Sequence, residues 1–184
     1  LKKLDLLRRG ILDCRRCDRS RTRQLAVPGE GNLRPGIVLL GEAPGKKEDL
    51  SGRPFVGRAG AYLEKVLASH GVARQNVFIT LILKCYSPKP PRKSQIEACR
   101  SWTEEQLEAL KPKIILVMGG FAAYGLLGLD RLPRRPAGFK WHEVTCIVTC
   151  HPAAAMRFPE RNRQFRGDLG RLFRRRDLMR KKMS

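Results

Sequence analysis

No apolar stretch in this 184-residue sequence approaches the roughly 20 residues that a membrane-spanning helix needs, so no span is expected. The N-terminal LKKLDLLRRGILDC lacks the long apolar core of a secretion signal, and a cytoplasmic, nucleoid-associated location is the expectation. Acidic residues are scarce: 17 Asp and Glu stand against 38 Lys and Arg, a formal net charge of +21. Such a field repels cations and attracts polyanions, with nucleic acid the leading partner. The few acids form no cluster of the kind a two-metal nuclease needs. The Gly-rich loop GEAPGKKED (41–49) meets neither the G-x-x-x-x-G-K-[ST] nor the G-x-G-x-x-G fingerprint. Pro44 removes a backbone donor from it and Glu42 would repel a phosphate, which argues against a nucleotide cradle.

What is present reads as one domain over residues 1–184, with a basic C-terminal helix or tail. From Arg157 to Ser184 eleven Lys and Arg accompany three Asp and Glu. That segment reads either as a helix lying along phosphates or as a solvated end. Four short apolar runs, GIVLLG (36–41), NVFITLILKC (76–85), KIILVMGG (113–120) and EVTCIVTC (143–150), read as buried strands. Helices are expected at 3–12, at 57–71 with Gly71 closing it, at 95–110 behind a Ser94–Glu97 capping box, at about 120–128 and at about 160–176. Residues 18–35, 87–93 and LPRRPAG (132–138) read as loops. The alternation predicts an α/β domain with a mostly parallel sheet. Ligands of such sheets sit at the carboxyl ends of the strands, here GEAPG, LILKC, MGG and TCHPAA.

Six cysteines are present in a chain expected to be cytosolic, where metal ligation outweighs disulfides. Cys14 and Cys17 form C-x-x-C, and Cys85 and Cys99 follow at a strand end and inside a helix. Four thiols from two distant segments suit tetrahedral zinc or a [4Fe–4S] cluster, and redox or buried structural thiols are the plainer reading. Cys146 and Cys150 read as core thiols. Cys150 beside His151 is not a nucleophile pair, because neighbours in a strand face opposite ways. On the residues alone Phe55 reads equally as core, Glu48 as a solvated acid and His151 as a structural histidine.

Taken together and in order, CRRC, GEAPGKKED, GRPFVGRAG, VFIT…KC, Cys99, KPKIILVMG and CHPAA with Arg157 resemble the family 4 uracil-DNA glycosylases, the iron–sulfur members of the uracil-DNA glycosylase superfamily. The resemblance runs from about residue 10 to residue 170. It implies a three-layer α/β/α sandwich around a four-stranded, mostly parallel sheet, and a structural [4Fe–4S] cluster on Cys14, Cys17, Cys85 and Cys99. It implies monofunctional hydrolysis of the N-glycosidic bond of uracil, or a related deaminated base, in single- or double-stranded DNA during base excision repair, by a monomer. Glu42 would orient or activate water, His151 would donate to the leaving base, and Glu48 would support the loop. Phe55 would stack on the flipped base, while Gly41 and Ala43 would let backbone amides approach it. Arg58, Pro152, Met156 and Arg157 would meet DNA, Met156 as a wedge and Arg157 on phosphate. One position departs. After VFIT the family usually has Asn as a reader of the uracil edge, and here stands Leu81, which has neither donor nor acceptor. Altered base preference follows as an expectation. The alternative is a catalytically weak iron–sulfur DNA-binding module.

Overall fold

A computed structural model describes residues 2–133 and 138–181, of which 175–181 as backbone only. Part of the expected 132–138 loop and the last three residues of the basic tail lie outside the described residues. Among the described residues one sheet has six strands in the order β1-β3-β2-β4-β6-β5. The inner four, β3 (Phe78–Leu81), β2 (Ile37–Gly41), β4 (Ile114–Met118) and β6 (Val144–Thr149), are mutually parallel. They are the four apolar runs, and β2 and β4 are buried along their whole length. The expected four-stranded sheet is extended at both edges. β1 (Glu30–Gly31) and β5 (Gly138–Trp141) each add an antiparallel strand. Both are short and partly exposed, so neither carries the apolar run that marks a buried strand.

Helices cover both faces. Alternate residues of β2 and β4 divide between two cores. Ile37, Leu39, Leu116 and Met118 pack with Leu63 and Leu67 of α3 (Arg58–Ala68) and with Phe165, Leu169 and Leu172 of α7 (Pro159–Lys181). Val38, Leu40, Ile115 and Val117 pack with Ile96 and Leu107 of α4 (Lys93–Leu110) and with Ala122 and Leu126 of α5 (Gly120–Leu127). The first helix, α1 (Lys2–Leu12), lies against α4. The three-layer sandwich is therefore as expected.

Two local readings change. α4 starts one residue before the expected capping box. Its Gln95 Oε1 accepts from the Arg92 N–H at 3.0 Å, and Glu97 instead accepts from the Tyr124 hydroxyl at 2.8 Å. The Gly-rich loop also contains a short helix, α2 (Lys46–Ser51), which its Gly and Pro content concealed. α6 (Pro152–Arg157) follows β6, with Pro152 at a helix start that its fixed φ suits.

Strand β2 sits between β3 and β4, so the chain leaves it first to one side and then to the other. Its carboxyl end is a topological switch point, where such sheets open a crevice. α7 holds its side of that crevice through a buried bond, the Thr149 hydroxyl donating to Asp168 at 2.7 Å, and through Phe165, which is fully buried. Replacing Phe165 with Ala is expected to lower stability by about 3–5 kcal/mol, read from the shift of the urea midpoint at unchanged slope.

Candidate active site

A cleft of about 1100 Å³ opens at the switch point. Glu42, Ala43, Phe55, Leu81, His151 and Met156 line it, with Glu48 beside them. Lys46, Lys47, Arg58 and Arg157 stand exposed around its mouth.

Glu42 follows β2 directly. Its Oε1 accepts from the Phe121 N–H at 3.0 Å, in the first turn of α5, where backbone donors are unpaired and the helix dipole favours negative charge. Burial raises the Glu42 carboxyl above its ordinary 4.5, while the Phe121 and Gly120 N–H groups pull it down. Gly119 makes this contact possible. Its φ is +101°, and a Cβ there would lie 2.3 Å from Glu42 Oε1.

Glu48 is buried and acts within the protein. Its Oε2 accepts from the Gly45 N–H at 3.0 Å, and its Oε1 from Val56 and Gly57 at 2.8 and 2.7 Å. One carboxylate thus ties the start of α2 to the turn before α3. Between these ties Phe55 takes a left-handed conformation, φ 51°, unusual for an aromatic residue. The Arg74 guanidinium holds that turn by donating to the carbonyls of Pro54 and Phe55, the latter at 3.1 Å.

His151 caps α6. Its Nδ1 accepts from the Ala153 N–H at 3.2 Å, which assigns the proton of the neutral ring to Nε2. Burial pushes its pKa down to about 4, against the opposing pull of Glu48. The ring lies near-parallel to Phe55, centroids 5.7 Å apart.

Leu81, the last residue of β3, is 2% exposed and forms part of the cleft floor. Two expected positions are placed differently. Gly41 lies beneath the floor, where a Cβ would come within 2.6 Å of the Phe55 ring and 2.8 Å of Leu81. Its missing side chain therefore makes room for Phe55 rather than for a base. Pro152 is buried at the start of α6, where it shapes the helix entry, and is not among the residues that line the cleft.

Cys14, Cys17, Cys85 and Cys99 lie away from the cleft, between the end of α1, the segment after β3, and α4. Trp102 Nε1–H donates to the Cys14 sulfur at 3.3 Å and Arg23 to the Cys85 sulfur at 2.9 Å. Burial pushes the Cys85 thiol up and that of Cys99 up to about 11, and the neighbouring Cys14 adds to both. Among the described residues no three His, Cys, Asp or Glu side chains converge tightly enough to hold one metal ion. Cys146 and Cys150 are core residues, as expected.

Sequence reasoning missed the basic scaffold around these thiols. Lys84 is 1% exposed, its ammonium donating to Thr80 Oγ1, the Leu81 carbonyl and Gln106 Oε1 at 2.6–2.8 Å. Arg19 is 2% exposed and bonds Gln95 and the carbonyls of Cys85 and Lys89. Their signal, a Lys inside the apolar run LILKC, was present and read only as a strand extension.

A family model for the uracil DNA glycosylase superfamily matches residues 28–171. The chain belongs to this superfamily. Its similar relatives include the type-4 uracil-DNA glycosylase of Archaeoglobus fulgidus, 38% identical over 94% of this chain and 92% of that protein. The type-4 enzymes of Pyrobaculum aerophilum and Saccharolobus solfataricus are 37% and 34% identical, over 92% and 85% of this chain and 93% and 78% of theirs. The superfamily match runs from before β1 into α7, and so covers every cleft residue named above.

Gly119→Ala is expected to strain the turn and displace Glu42. The variant should keep its fold by circular dichroism yet lose about 10²-fold or more in base release, the scale of a misplaced catalytic group.

Proposed function

We propose that this protein is a DNA glycosylase that hydrolyses the N-glycosidic bond of uracil in DNA, initiating base excision repair where the chromosome lies. The observation that carries this reading is the convergence of Glu42, Phe55 and His151 in one cleft at the switch point of the sheet. The type-4 uracil-DNA glycosylase names of its relatives support it.

The chemistry follows from the positions. A base inside a duplex is out of reach, so it must be flipped into the cleft. The cations at the mouth suit the flanking phosphates, and Met156, 45% exposed, suits the vacated stack. Phe55 offers a ring face to the flipped base. Glu42, ionised, orients water toward C1′ and opposes the positive charge that grows on the sugar. His151, neutral, donates from Nε2 to the oxygen that gains negative charge as the base departs. Neither residue titrates usefully in the other's role, since burial moves their pKa values in opposite senses.

Cys14, Cys17, Cys85 and Cys99 would hold the [4Fe–4S] cluster that the family resemblance implies. The donor set fits: four thiols, N–H donors from Trp102 and Arg23 aimed at two of the sulfurs, and the cations Arg19 and Lys84 close by to balance an anionic thiolate cluster. When bound, the cluster would cross-link α1, the segment after β3, and α4, and the reaction itself needs nothing from it.

Glu42→Gln and His151→Ala are each expected to slow single-turnover uracil release by about 10²–10³-fold. DNA affinity and its salt dependence should stay nearly unchanged, because the phosphate contacts remain. Full activity in both variants would refute the site. Equal loss of binding and release would favour a binding module.

Acid pH separates the two groups. Falling pH protonates Glu42 above its ordinary value, before His151 gains its proton near 4. The acid limb of kcat/KM is therefore expected above pH 4.5 and belongs to Glu42. A pH–rate profile of His151→Ala should show a lower plateau with that limb unmoved.

A further inference from the structure

We propose that this cleft also excises the deaminated purines hypoxanthine and xanthine, with Leu81 setting that breadth. The proposal rests on the glycosylase reading of the same site.

The floor is short of groups that can read a base edge. Among the described residues no Asn, Gln, Ser or Thr lines the cleft. Leu81 closes its β3 side with hydrocarbon. Even the Leu81 carbonyl is engaged, accepting from Lys84 Nζ at 2.6 Å and from the Thr103 hydroxyl at 3.2 Å. The remaining deep polar groups are committed as well. Glu48 serves three backbone N–H groups, Glu42 is held by Phe121, and His151 Nδ1 by Ala153. Of these deep side chains His151 Nε2–H is left to donate to the base, while Lys46, Lys47, Arg58 and Arg157 stand at the exposed mouth.

One donor addresses one acceptor. Pyrimidines and purines both carry an acceptor beside the glycosidic nitrogen, O2 in the first and N3 in the second. A single donor placed there senses position and does not distinguish ring type. Selection then falls to stacking on Phe55, to space and to the leaving group. In the reaction the C1′–N bond breaks with its electron pair staying on the base. The water oxygen bonds to C1′, its proton passes to Glu42, and the base anion takes a proton from solvent. Uracil, hypoxanthine and xanthine carry lactam carbonyls that spread this charge. Adenine and cytosine carry an amino group in that place and leave less readily. Mispaired bases also flip at lower cost than paired ones, which favours deaminated targets of either ring size. At about 1100 Å³ the cleft has room for a bicyclic base.

The scale of discrimination separates this from an edge-reading site. A site built to hydrogen-bond a substrate edge rejects a mismatch by about 10⁴–10⁵, whereas an apolar pocket discriminates by only about 10–200-fold. The test is single-turnover release from end-labelled duplexes carrying uracil, hypoxanthine or xanthine, with alkali cutting the abasic product. The purified full chain is compared with Leu81→Asn. The expected ratio of kcat/KM for uracil over hypoxanthine is no more than about 200 in the native chain, and Leu81→Asn raises it at least about tenfold. A native ratio above about 10⁴ overturns the breadth proposed here while leaving the glycosylase reading intact. A folded Leu81→Asn with an unmoved ratio overturns the assignment to Leu81. Failure to release any base, uracil included, overturns the glycosylase reading itself. The native ratio decides even where the variant does not fold.

Discussion

The site depends on one buried carboxylate. Glu48 gathers the N–H groups of Gly45, Val56 and Gly57, and so fixes both ends of the loop that follows β2. Charge-assisted bonds of this kind are stronger than neutral ones and lose little to solvent when shielded. Without them the left-handed backbone at Phe55, a conformation that costs of order 1–3 kcal/mol in a non-glycine residue, would lose its support on the loop side. Arg74 completes the clamp from outside, and Glu30 in turn holds Arg74. Phe55 is thereby presented to the cleft with its orientation decided before any base arrives, which is the condition for tight use of a stacking face.

Around this clamp the fold assigns opposite electrostatic tasks to two groups at one crevice. Glu42 sits at the start of α5, where backbone donors offset part of the cost of its burial. His151 has no comparable anion bonded to it. Its Nδ1 meets a backbone N–H, which suits the neutral ring and not the imidazolium. A carboxylate held by backbone donors and an imidazole kept neutral can flank a sugar–base bond that separates charge as it breaks. The same logic explains why Gly119 is required: the bond to Phe121 needs an approach closer than any side chain allows.

The architecture was legible because the four inner strands are continuous apolar runs and the helices between them carry amphipathic spacing. β1 and β5 were not, because two or four half-exposed residues have no periodicity to read. α2 was hidden by the Gly and Pro that surround it, and its start depends on a side chain three residues along. At the site, the motifs located Glu42, Leu81 and His151 at strand ends and Phe55 in the loop that follows β2. It could not show that Gly41 serves Phe55, or that Pro152 is buried, since both depend on packing between distant segments. Lys84 and Arg19 were missed for a related reason. A buried cation is credible only once its partners are known, and those come from β3, α4 and the loop between them.

The net charge of +21 and the apolar floor then belong to different steps. Exposed Lys46, Lys47, Arg58 and Arg157 ring the mouth, and under the proposed reading they would meet phosphates and supply affinity that carries no base information. Inside, Glu42, Glu48 and His151 Nδ1 are each held by backbone N–H groups, and the side chains that line the floor include the Phe55 ring, Leu81 and His151. A search over long DNA needs the first property, since non-specific attraction lets a protein slide until a weak pair opens. Once a base has flipped, the second property leaves the choice to the pair that failed and to the bond that breaks most readily.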